Sequence, residues 1–149
     1  MKFIIEPLIL PLVDALNETG LLETFSSCQG HFGEEEEPDT LNDRTKADVR
    51  AYLRDGASEK DVEELILHVL SDHMDDSMKW GAVLSISKQY IADPREEGVL
   101  QPLDYYFLFT LQPFDRGAPD TEKRQVVSTL IAETTSSVKQ HTKTRQQKS

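Results

Sequence analysis

The sequence predicts an α+β protein, a two-layer sandwich with helices on one face of an antiparallel sheet. Three observations predict it: segments with helical spacing, segments with strand patterning, and their order of helix, strand, strand, helix, strand, strand, helix. The 149 residues suit one domain. Residues 1–138 are read as that domain, with an acidic loop at 33–45, and residues 139–149 as a disordered basic tail.

The first helix rests on Leu8, Leu12, Val13 and Leu16 at helical spacing. Pro7 suits a first turn, but Pro11 would then lie too deep, so the helix is expected to start near Leu10 and to stop at Gly20. Lys2 to Ile5 is a candidate short strand. Leu21 to Ser27 has β character through Thr24 and Phe25. Lys46 to Leu53 alternates, with Ala47, Val49, Ala51 and Leu53 on one side and Asp48, Arg50 and Tyr52 on the other. Ser58 reads as an N-cap, followed by the stripe Val62, Leu65, Ile66, Val69, Leu70 to about His73.

Trp80 to Ile91 is a third strand, with Ala82, Leu84 and Ile86 on one side. Asp93 to Gly98 is a turn or loop. Leu103 to Leu111 is continuously apolar, which predicts a central strand. Thr121 to about Val138 closes the series as a helix with Val126, Val127, Leu130 and Ile131 inward. The order fits a ferredoxin-like sheet permuted so that its first strand comes last. If Lys2 to Ile5 is a strand, the unpermuted order with an added strand fits instead.

Composition excludes several function classes. The chain has 16 Lys and Arg against 27 Asp and Glu, a formal net charge of −11, so a nucleic-acid-wrapping surface and direct nucleic-acid binding are not expected. Residues 1–138 hold 12 of the 16 bases and all 27 acids, a balance of −15. One cysteine excludes an intramolecular disulfide and any multi-cysteine metal site. Glu6, Pro7, Pro11 and Asp14 interrupt the apolar start, so neither a signal peptide nor a membrane span is expected, and a cytoplasmic location is. No cofactor and no resident metal is expected.

Ser26-Ser27-Cys28-Gln29-Gly30-His31 is the densest cluster of reactive and small residues, placed where a strand ends. Ser26, Ser27 and the amides around Gly30 would make a small anion-binding concavity. Cys28 and His31 are the candidate catalytic residues, as a thiolate–imidazolium pair. With an Asp or Glu from elsewhere they would instead ligate one metal. The bland alternative is a buried thiol that only packs.

The stretch Leu16-Asn17 through Thr24, then Ser26-Ser27-Cys28-x-Gly30-His31, resembles the N-terminal part of the wybutosine-synthesis methyltransferase family, over about 16 residues. Those proteins modify a guanine-derived base in tRNA using S-adenosylmethionine. Similar turns occur in small uncharacterised prokaryotic and phage proteins. The resemblance implies the fold and a site lined by Ser27, Cys28, Gly30 and His31. It does not carry the cofactor: His31 replaces an Arg, the acidic loop repels a tRNA backbone, and no Gly-rich loop follows.

Other candidates read as structure. His68 and Asp72 are expected on a solvated helix face, and His73 near a helix end. Asp72, Asp75 and Asp76 lack the glycine and spacing of a calcium loop. Tyr52, Tyr90, Tyr105, Tyr106, Phe107 and Phe109 are expected in the core or at an interface; on an uncovered sheet face they would stack bases or support a homodimer.

Two readings of function follow. One is a small acidic, non-enzymatic interaction protein, of the kind phages and mobile elements carry as inhibitors. It docks on a basic, nucleic-acid-binding surface of a protein partner through Glu34, Glu35, Glu36, Glu37 and Asp39. The alternative is a nucleotide- or RNA-modifying enzyme, or a ligand-binding protein, that uses the Ser26–His31 turn.

Overall fold

The computed structural model describes residues 5–32, 46–91 and 104–148, the side chains of 75–80 and 148 excepted. The Lys2–Ile5 strand (apart from Ile5), the acidic loop and the Asp93–Gly98 turn lie outside the described residues. The elements are α1 (Leu10–Glu18), β1 (Leu22–Cys28), β2 (Ala47–Leu53), α2 (Glu59–Trp80), β3 (Ala82–Ile91), β4 (Asp104–Pro113) and α3 (Asp120–Lys148).

The chain starts α1 at Leu10, which places Pro11 in the first turn, where its missing amide costs nothing. Gly20 turns the chain out of α1 in the left-handed region, at φ 73°. Asn17 then ties α1 to β1: its side chain donates to Thr24 Oγ1 at 2.9 Å and accepts from the Thr24 amide at 3.0 Å. Ser58 caps α2, accepting from the Lys60 amide at 3.2 Å.

All four strands pair antiparallel in the order β1-β2-β4-β3. The chain from β2 through α2 to β3 leaves a gap that β4 fills. That is the order of a ferredoxin-like sheet whose first strand comes last, and it puts the apolar β4 in the centre as expected. Alternation sends Ala47, Val49, Ala51, Leu84, Phe107, Phe109 and Leu111 to one face, where all are buried. The helices cover that face: α1 lies on β1, α2 on β3, and α3 on β4 and β3 while touching both other helices. Lys88 falls on this same side at the sheet edge, where it bonds Glu59 and lies 4.2 Å from the Tyr105 ring centre.

Three expectations need correction. First, α2 does not end at His73. It runs to Trp80 and stops at Gly81, whose φ is 66°, because nothing before that glycine breaks the helix. His73 therefore sits inside α2, and its Nε2 accepts from the Leu84 amide at 3.3 Å.

Second, His68 is half-buried rather than on a solvated face, while Asp72 is exposed as expected. They lie at the seam with α3, 3.4 Å apart, with Ser137 Oγ donating to Asp72 at 2.6 Å and the His141 ring 5.1 Å from the His68 ring.

Third, residues 139–148 are not a disordered tail. They are the last turns of α3. Val138 is fully buried, and Thr134, Thr135 and Ser137 are small enough to bring α3 close to its neighbours. Arg145 reaches Asp61 at the start of α2, at 3.4 Å, and cations suit a helix C-terminus.

Candidate functional site

The turn after β1 is built by contacts from three distant parts of the chain. Gly30 adopts φ 89°, a region that side chains rarely enter. A Cβ there would stand 2.8 Å from the Phe32 ring and 3.1 Å from the Lys46 carbonyl oxygen. Arg124, on α3, donates to the carbonyl oxygens of Gln29 and Gly30 and lies 4.5 Å from the centre of the Phe32 ring. On the other side, the Leu8 amide donates to Gln29 Oε1 at 3.0 Å, and Glu6 Oε1 accepts from the Gln29 amide at 3.0 Å. Gly30→Ala should cost at least about 1–2 kcal/mol from backbone conformation alone, read as a lowered urea midpoint.

The structure brings Cys28, His31 and Glu6 together: Sγ, a ring nitrogen and a carboxylate oxygen all lie within 4.8 Å of one another, each residue half-buried. Ser26 and Ser27 do not both join them, because they pair with Arg50 and Val49, on opposite faces of the sheet. Two of the amides expected to bind an anion are bonded to groups of the chain itself. The Gln29 amide is taken by Glu6, and the Gly30 amide donates to Cys28 Sγ at 3.5 Å. Burial pushes the Cys28 thiol up; the Gly30 amide pulls it down, and the Glu6 and Asp48 carboxylates add to the rise. The thiol is thus held protonated at neutral pH, the opposite of an activated nucleophile.

Asp48 pairs with Cys28 across the sheet. Burial pushes its carboxyl up, against the pull of Arg50 and Lys46. A folded-state pKa above the unfolded one means stability present at low pH and lost as pH rises through the folded value. The ionised carboxylate is therefore a cost at neutral pH. Asp48→Asn should be more stable than wild type at pH 7, with the gain vanishing below pH 3.8, the ordinary value. Urea titrations at both pH values check it, and a variant less stable at pH 7 would contradict this account of Asp48.

The second candidate surface is the sheet face that the described helices leave uncovered. A bulge between Thr24 and Ser26 inserts Phe25 as an extra residue in β1. Phe25 stacks on Tyr52 at 4.1 Å and meets Tyr106 edge-on at 5.4 Å. Phe25 is 41% exposed and Tyr52 39%, so this cluster faces out rather than into the core. Phe107 and Phe109, one residue out of step along β4, are buried.

Sequence reasoning missed Glu6 and Arg124. Glu6 read only as an interruption of an apolar run, and Arg124 lies 94 residues from Gly30. No local pattern links either to the turn. Glu34–Glu37 and Asp39 lie outside the described residues. No helix among the described residues is long and apolar enough to cross a membrane. No family model matches the chain, and neither a curated protein nor a solved structure does.

Proposed function

We propose that this chain is a small, acidic, non-enzymatic interaction protein that docks on a basic, nucleic-acid-binding surface of a protein partner, as an inhibitor carried by a phage or mobile element would. The observation that carries the reading is an outward aromatic cluster, Phe25–Tyr52–Tyr106, on a sheet face that none of the described helices covers, in a chain of net charge −11. Aromatic rings supply contact area at an interface, and excess acid steers a basic partner and repels nucleic acid. The turn gives less support to the enzyme reading. Its amides are committed to groups of this chain, and its thiol is held protonated.

The test is affinity capture from source-cell lysate, with and without nuclease. The reading expects a basic protein, retained in both and lost when Glu34, Glu35, Glu36 and Glu37 are all replaced by Gln. Retention of a nuclease-sensitive RNA or DNA, abolished by Cys28→Ala or His31→Ala, would overturn it in favour of the Ser26–His31 turn.

A further inference from the structure

The geometry points to a binding site for a zinc-class divalent cation formed by Glu6, Cys28 and His31, with a fourth position left to water. It is independent of the docking surface and rests on what the fold does to three residues. Cys28 ends β1, His31 follows in the turn, and Glu6 arrives from the segment before α1. Their ligand atoms lie within 4.8 Å of one another. Around a tetrahedral zinc, ligand atoms stand about 3.3–3.6 Å apart, given bonds of about 2.0–2.3 Å. Small side-chain rotations therefore close the set without moving the backbone.

The donor types choose the metal. One sulfur, one imidazole nitrogen and one carboxylate oxygen form a borderline set that suits zinc. Calcium and magnesium want oxygen throughout. On binding, the Cys28 thiol gives its proton to solvent and the thiolate takes the metal.

The surroundings hold the ligands as a metal site's outer contacts do. Glu6 Oε1 is fixed by the Gln29 amide, which orients its carboxylate at the turn. The Leu8 amide on Gln29 Oε1 anchors the segment that carries Glu6. Arg124 pins the carbonyls between Cys28 and His31, and the left-handed Gly30 sets the bend that returns His31 towards Cys28. A bound cation would clamp the segment before α1 onto the end of β1.

Cobalt(II) is the probe, added to the full chain and read by absorbance, then displaced by zinc. We expect saturation at one equivalent, with thiolate-to-cobalt charge transfer and the intense visible bands of tetrahedral cobalt. Cys28→Ser should abolish the charge transfer. Glu6→Gln and His31→Gln should each weaken binding at least tenfold, whereas His68→Gln, in the other histidine cluster, should leave it unchanged. The proposal is overturned if wild type shows no charge-transfer band, if the band survives Glu6→Gln and His31→Gln undiminished, or if binding moves with His68. The wild-type spectrum decides even where a variant fails to fold, and circular dichroism identifies such a variant.

Discussion

Phe109→Ala is expected to lower the unfolding free energy by about 3–5 kcal/mol. Phe109 has no exposed surface and lies on the central strand, in register with Val49 on β2 and Ile86 on β3. Its neighbours on both sides are held by sheet hydrogen bonds and cannot collapse into the space that a truncated ring leaves. A domain of this size has about 5–15 kcal/mol in all, so the variant should be marginal. The check is the urea midpoint at unchanged slope. A loss under about 1 kcal/mol would mean that the helix layer does not rest on this face.

Tyr52→Ala is expected to do the reverse: little to stability and much to binding. The ring is 39% exposed, and its stack on Phe25 is worth about 0.5–1.5 kcal/mol. At an interface, an aromatic anchor of this kind costs about 2 kcal/mol or more when truncated, roughly 30-fold in affinity. Titration calorimetry with the captured partner measures this. An affinity within twofold of wild type would remove the aromatic face from the interface.

The fold was legible where the physics is local. Alternation at 46–53 and the continuous apolar run of β4 report burial on one or two faces, and both strands form as expected. Ser58 has a capping role that three residues of context reveal. Legibility failed where burial does not depend on large apolar groups. Residues 139–148 hold no large apolar residue and so read as too polar to fold, whereas α3 continues through them from the buried Val138 and Arg145 reaches Asp61. The site divides the same way. Cys28, Gly30 and His31 are close in sequence and were seen together, whereas Glu6 and Arg124 reach the turn only through the packing of α1 and α3.

The phage-type inhibitor reading makes one demand that ordinary acidity does not: the chain and the partner's nucleic acid must compete for one surface. The decisive measurement is a competition titration in which the captured partner, preloaded with a labelled oligonucleotide, is titrated with this chain. The account predicts complete release of the oligonucleotide, with a midpoint that rises with salt and rises at least tenfold when Glu34–Glu37 are replaced by Gln. A stable ternary complex, with oligonucleotide and chain bound together, would contradict it.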